Sequence, residues 1–370
     1  METLAGWVNR IASLDHTRLA ECLYRVFAPG KAPLDLNDWL IAANPGHEVP
    51  AGYRGCGPES VSLLRLLDEN RPDRPIQEHQ RLVLELAAAM TLALGRRIEI
   101  PHEIATRIEG EARITLAPYG QTIDPSSVAP LPKDPLPAIE RVLGLIAGLP
   151  GNDQTPIGSA ATMYHGALLL FDREIRAAYT LLVAGIEVLS RSYGSPPMEW
   201  ADWDESRRWD EQFIHLELNA DQCDAIRQNL LENKQLRLKA TFRAYASKRL
   251  KVSFWSRNLD EWWYDINALT GEWGDGHITG TCRVKDVLPE DRIGLARSLG
   301  KSYDLRSGIV HQGAWTEPLK LALPYRTQVD FNTALPFSIL REILGELIMT
   351  ELTERSEPAN LPDIRLSRPD

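Results

Sequence analysis

Tyr303-Asp304-Leu305-Arg306-Ser307-Gly308-Ile309-Val310-His311-Gln312-Gly313 is the stretch on which the architecture turns. It closes a helical pattern that runs from Pro289 to His311, and helical patterns continue on both sides of it. Pro336 to Glu354 reads as a helix on one side. On the other side, Ala138 to Leu149, Ala160 to Ser192, the polar region Ala220 to Leu250 and Leu259 to Leu269 read as helices. The long pattern from Ala160 closes at Gly194-Ser195-Pro196-Pro197, and Gly271 to Gly280 reads as a glycine-rich loop. An acidic stretch carrying Trp200, Trp203 and Trp209 lies between them.

The N-terminal part is mixed. Residues 1–28 read as one or two amphipathic helices, with Trp7, Val8 and Ile11 on one stripe and Leu19, Leu23, Val26 and Phe27 on the next. A short helical turn is expected around Leu36 to Ala43, a helix opening at Pro58-Glu59 and running through Leu67, and a strong helix from Ile76 to Leu94. Arg97 to Pro101 and Arg113 to Leu116 alternate like strands. Residues 118–135 hold five prolines and mark the linker. The expected organisation is therefore mainly α. An α+β domain spans 1–118, a proline-rich linker 119–135, a helical bundle 136–355 and a flexible tail 356–370.

With 41 basic and 51 acidic side chains the formal charge of the 370-residue chain is −10, which argues against a general DNA-coating protein. The four cysteines lie far apart with no C-x-x-C pair, as expected of reduced thiols in the cytoplasm. No cleavable signal pattern is present at the N-terminus. The longest apolar stretch, near Ala177 to Ile186, reaches only about half a bilayer, so no membrane partner is expected. There is no Walker A loop, no G-x-S-x-G elbow and no H-E-x-x-H pair. Gly274 to Gly280 misses the dinucleotide fingerprint by one residue, and the eight histidines show no metal-ligand spacing. Neither cofactor nor metal is expected.

Arg306 and His311 form an Arg-x4-His pair. Two other pairs of this spacing occur, Arg74/His79 and Arg97/His102, so spacing alone decides nothing. Only Arg306/His311 lies within a long helical pattern. Around it, residues 303–313 resemble the signature helix of the HEPN superfamily, particularly its Apea-like branch, in which a polar residue, here Ser307, follows the arginine. The earlier stretch Ala177 to Leu189 is similar to the family's other recurrent helix, whose buried acidic residue matches Glu187. The resemblance covers roughly residues 155–352, and the long insert between Pro196 and Gly280 departs from the minimal pattern.

The resemblance implies a helical bundle, usually dimeric, whose active members cut RNA without a metal. The implied catalytic set is Arg306, His311, Ser307 and Glu187, acting as a homodimer through the helix that carries Arg306 and His311. A toxin or anti-phage defence role follows, with an antitoxin or regulatory partner. The residue types suit this chemistry. RNA supplies its own nucleophile in the 2′-hydroxyl, an imidazole can take or give a proton near neutrality, and a guanidinium matches phosphoryl oxygens. Five residues on a helix set Arg306 and His311 about 140° apart, an awkward half-site that a two-fold axis would complete. Gly308 would let the paired helices approach closely.

Two competing readings stand beside this one. Arg306 could serve as an ion-pair partner of Asp304 or Glu187 and His311 as a helix-end residue, leaving a catalytically inactive module that binds RNA or protein. Otherwise an unrelated enzyme resides in residues 1–118. Between Arg227 and Arg257, nine basic residues face one acidic residue, Glu232. Lys234, Arg237, Lys239, Arg243, Lys248, Arg249 and Lys251 form a candidate RNA track there, interleaved with Phe242, Tyr245, Phe254 and Trp255 as possible stacking faces. The alternative is a solvated face docked on the acidic segment from Trp200 to Glu217.

Overall fold

The computed structural model describes residues 1–13, 19–29, 41–45, 59–69, 76–100, 107–108, 111–112, 134–171, 174–196, 199–203, 205–233, 237–266, 273–312 and 327–357. These residues are mainly helical. In chain order the elements are α1 (Glu2–Ser13), β1 (Leu19–Pro29), β2 (Ile41–Pro45), β3 (Glu59–Glu69), α2 (Ile76–Leu94), β4 (Arg107–Ile108), β5 (Glu111–Ala112), α3 (Leu136–Ala147) and α4 (Gly151–Leu170). They continue as α5 (Ile175–Tyr193), α6 (Ser206–His215), α7 (Ala220–Glu232), α8 (Leu238–Arg249), α9 (Val252–Ser256), β6 (Asn258–Ile266), β7 (Trp273–Arg283), α10 (Val284–Val287), α11 (Arg292–Gln312) and α12 (Phe337–Arg355). Among the described residues no helix is long and apolar enough to cross a membrane.

Two compact units emerge: residues 1–181 with 258–282 and 348–370, and residues 182–257 with 283–347. This differs from a division at 119–135, of which 119–133 lie outside the described residues. In the first unit α3 and α4 pack with α1 and α2. The reason is apolar cover. The helix α1 buries Leu4, Trp7 and Val8, α2 buries Leu82 to Val83 and Leu86 to Met90, and α3 brings Ile139, Val142, Leu143 and Ile146. The buried carboxylate of Glu85 accepts the Leu4 amide at 2.8 Å, satisfying one of the open donors in the first turn of α1. Gly95, at φ +59°, ends α2 in the left-handed conformation that a side chain would strain.

Several elements differ from expectation. Leu19 to Pro29 and Glu59 to Glu69 are strands rather than helices, and the part of Leu36 to Ala43 that is described, Ile41 to Ala43, belongs to a strand. They form a three-stranded sheet in the order β1-β3-β2, antiparallel, with Leu19 opposite Glu69 and Ile41 opposite Leu66. Consecutive Val26, Phe27 and Ala28 are all buried, so β1 carries no period-two signal that could separate it from a buried helix. Among the described residues, the expected strand Arg97 to Pro101 contributes one bridge, Glu99 to Phe27. The second expected strand, Arg113 to Leu116, lies outside the described residues. The stretch from Leu259 is strand β6, rich in the aromatic residues strands favour, and the glycine-rich segment is its partner β7. The pattern Ala160 to Ser192 is two helices, α4 ending at Leu170 and α5 beginning at Ile175. The two helices meet where Gly166 leaves room for Leu181, whose Cδ1 a Cβ at that position would meet at 3.2 Å. The helices expected at Ala138 to Leu149, Pro289 to His311 and Pro336 to Glu354 form as α3, α11 and α12.

The second unit holds the C-terminal part of α5, then α6 to α11 and the start of α12. Its core includes Leu182, Ile186 and Leu189 of α5, Phe242 and Tyr245 of α8, Phe254 and Trp255 of α9, and Leu295 and Leu299 of α11. Arg292 fixes α11 to the C-terminal end of α8, donating to the carbonyls of Ser247 at 2.7 Å and Lys248 at 3.0 Å. Ser298 donates to the Thr333 carbonyl at 2.6 Å, and Ser302 accepts the Leu335 amide at 3.0 Å, clasping the segment before α12 onto α11.

Two outcomes test this packing. His165 on α4 is 2% exposed, with Nδ1 3.0 Å from the Thr91 hydroxyl. Burial, with the Arg97 charge adding to it, pushes its pKa down to about 4. The unfolded chain therefore binds a proton on this histidine that the folded chain refuses, and the stability at stake is complete above about pH 6.5 and is lost as pH falls toward 4. Urea unfolding should show a loss on the order of 3 kcal/mol across that window, reduced in His165→Gln. At the end of α5, a Cβ on Gly194 would sit 2.5 Å from the Ser190 carbonyl and 3.1 Å from Thr241 Cγ2. Gly194→Ala should cost about 1–3 kcal/mol in the same measurement, whereas Gly151→Ala, with open space around it, should be neutral or mildly stabilising.

Candidate active site

Helix α5 places Glu187 on its inward side, one residue after the buried Ile186, and only 7% of its side chain is exposed. A carboxylate in that position demands charged partners. Two arrive. Arg191, one turn further along α5, donates from Nη2 to Oε1 at 2.5 Å. Arg306 comes from α11, with Nη2 3.3 Å from Oε2. Each carboxylate oxygen thus faces its own guanidinium. The Arg306 side chain is 22% exposed and that of Arg191 51%. The Nε of Arg306 is buried without a hydrogen-bond partner, so the protein leaves part of this guanidinium unused.

Tyr303 lies one turn before Arg306. Its ring packs on Phe242 of α8 at 5.4 Å between centroids. Burial and the Glu187 carboxylate hold its hydroxyl above the usual tyrosine range, while Arg306 and Arg191 pull the other way. It remains a neutral donor at physiological pH. Asp304, expected as one possible partner of Arg306, is paired with Lys239 at 2.8 Å. Ser307 is half-exposed and His311 is exposed in the last turn of α11. Arg306 and His311 make no hydrogen bond to one another among the described residues, in keeping with their separation around the helix. The structure therefore brings Arg306 to Glu187 and leaves His311 facing solvent.

Of the other Arg-x4-His pairs, Arg74 and His102 lie outside the described residues. Arg97 is buried and paired with Glu99 at 2.9 Å.

The candidate RNA track narrows. Lys234 lies outside the described residues. Arg237 is 3% exposed and cannot face a polymer, a correction to the expected track. Lys239 is engaged with Asp304, and Arg243 packs on Gly300 and donates from Nε to the Ala296 carbonyl at 3.0 Å. Lys248 and Lys251 are exposed and Arg249 is half-buried. Phe242, Tyr245, Phe254 and Trp255 are all core residues, so none is a stacking face. Nearby, one of the nine basic residues, Arg227, docks on the acidic segment, pairing with Asp210 at 2.8 Å and covering the rings of Trp200 and Phe213. The Arg227 guanidinium, with the Trp200 indole N–H, holds the Asp210 carboxyl below its usual range. Among the described residues no group of three His, Cys, Asp or Glu side chains could hold a metal ion.

Sequence reading missed Arg191 and Tyr303. The Glu-x3-Arg spacing on one predicted helix face was the available signal for the first. No family model, curated protein or solved structure matches the chain.

Removing Glu187 would strand two guanidiniums, whereas removing Arg306 leaves Glu187 still paired with Arg191. Urea unfolding should therefore show Glu187→Ala losing about 3 kcal/mol and Arg306→Ala clearly less. Equal losses would contradict the shared-carboxylate geometry.

Proposed function

We propose that this chain is a metal-independent endoribonuclease of the HEPN type, built on Arg306 and His311. The observation that carries the reading is the pairing of a guanidinium anchored on a buried carboxylate with an exposed imidazole further along the same helix. Such an arginine keeps its charge and its place while the histidine is free to exchange protons with a substrate. In the reaction, an imidazole removes the 2′-hydroxyl proton and the 2′-oxygen attacks the adjacent phosphorus. The bond to the 5′-oxygen breaks, and a second imidazole protonates the leaving oxygen. The products are a 2′,3′-cyclic phosphate and a 5′-hydroxyl. Arg306 neutralises charge on the phosphoryl oxygens, Glu187 positions it, and Ser307 offers a further hydroxyl at the site.

A second copy of the chain supplies the second imidazole, the two α11 helices meeting beside Gly308. Half-exposed Leu305 and Ile309 and exposed Val310 form an apolar margin consistent with that contact. The cellular role that fits is a cytoplasmic toxin or anti-phage defence effector restrained by an antitoxin or regulatory partner. The specific observation favouring the other reading, an inactive RNA- or protein-binding module, is that Arg306 is committed to Glu187 and points away from His311.

Purified protein should cleave single-stranded RNA in EDTA, leaving cyclic phosphate and 5′-hydroxyl ends. His311→Ala and Arg306→Ala should each lower the rate by about 100-fold or more while the circular dichroism spectrum is kept. Cleavage that persists in His311→Ala, or that appears only with a divalent ion, refutes the mechanism. An inactive wild type that still binds RNA supports the module.

A further inference from the structure

We propose that Arg191 is a second anion-binding residue of this site, and that Arg191 and Arg306, splayed on the two oxygens of Glu187, form a fork that takes a phosphate group of single-stranded nucleic acid. The inference rests on the ribonuclease reading only for the identity of the polymer; the fork itself rests on geometry.

Three observations carry it. First, both guanidiniums are held by one carboxylate, with Arg191 on Oε1 and Arg306 on Oε2, so their charges lie side by side with a net charge of +1. An isolated carboxylate would be matched by one arginine; the second is in excess of what neutrality needs. Second, neither guanidinium is saturated. Their contacts to Glu187 use one Nη on each, and the Nε of Arg306 has no acceptor. A guanidinium offers five N–H donors; the Nε of Arg306 is itself buried, so the donors left for an anion are the remaining Nη groups, above all those of half-exposed Arg191. Third, the exposure is graded. Glu187 is buried beneath, Arg306 is partly covered, and half of Arg191 is open to solvent. An anion approaching from solvent meets Arg191 first and finds Arg306 behind it.

The chemistry of the acceptor follows. Two planar cations anchored on one carboxylate, with net charge +1, suit a tetrahedral group whose two non-bridging oxygens share one negative charge, which describes a phosphodiester. Tyr303, kept protonated beside the same carboxylate, can donate but adds no repulsion. Arg191 acts in binding and does not exchange protons with the reacting atoms.

The test uses the full chain and a short fluorescein-labelled 2′-O-methyl oligoribonucleotide, which cannot be cut because its 2′-oxygen is blocked. Fluorescence anisotropy is recorded between 50 and 200 mM salt, about the range over which phosphate contacts are read. Arg191→Ala should weaken binding roughly tenfold at the low end and reduce the slope of log K against log salt by about 0.7, the loss of one contact on a single strand. Arg191→Gln serves if the alanine variant unfolds, and should show the same loss. Arg176→Ala, which removes the same charge from the start of α5, should leave the slope unchanged.

An unchanged slope in Arg191→Ala or Arg191→Gln overturns the fork, as does an equal fall in Arg176→Ala, since net charge alone would then explain it. A wild type that does not bind the probe also overturns it. The two proposals fail separately. Cleavage that depends on His311 with a slope indifferent to Arg191 leaves the nuclease without the fork. No cleavage with a slope that depends on Arg191 leaves the fork on a binding module.

Discussion

The second unit is organised around one buried charge. Glu187 lies in the apolar side of α5, where an unpaired carboxylate would cost several kcal/mol, and the surrounding chain must supply cations. One comes from the next turn of the same helix. The other comes from α11, and that contact fixes how α11 is rotated. Once Arg306 faces α5, every other residue of α11 has its direction assigned by the helical period. Tyr303 falls against Phe242, and His311 falls on a face open to solvent.

The helix that carries the candidate chemistry is a poor amphipath, and polar contacts hold it in place. Arg292 and Arg243 bind it to α8 through main-chain carbonyls, and Ser298 and Ser302 hold the segment before α12. This explains the fate of the basic residues between Arg227 and Arg257. Several are consumed in joining elements of the unit, as Arg243 to α11, Lys239 to Asp304 and Arg227 to Asp210. A charge excess counted along the chain therefore overstates the charged surface, of which exposed Lys248 and Lys251 remain. At Glu187 itself the two guanidiniums and the one carboxylate leave a net charge of +1.

What was legible in the sequence follows from how each element buries its apolar face. The helices α2, α3, α11 and α12 could be read because their lengths exceed any strand, and their ends carry recognisable breakers such as Gly95. The strands β1 and β3 could not: consecutive Val26, Phe27 and Ala28 of β1 are all buried and leave no period, and the leucines of β3 suit either state. The division between α4 and α5 was hidden for a related reason: the apolar pattern runs on from one helix into the next. The aromatic residues of α8 and α9 illustrate the limit for the site, because a ring among arginines looks alike whether it faces solvent or core.

By itself the sequence determined the mainly helical character, the helix holding Arg306 and His311, and the presence of an acidic residue on the helix of Glu187. These are local properties, set by composition and spacing within one segment. Only the tertiary structure decided that Arg306 meets Glu187 rather than Asp304, that Arg191 shares the same carboxylate, and that His311 is left facing solvent. The Arg191 contact had a local signal in the Glu-x3-Arg spacing, but that the two arginines share one carboxylate depends on which segments lie side by side. Glu187 and Arg306, more than a hundred positions apart, are joined by burial and charge, which spacing along the chain does not encode.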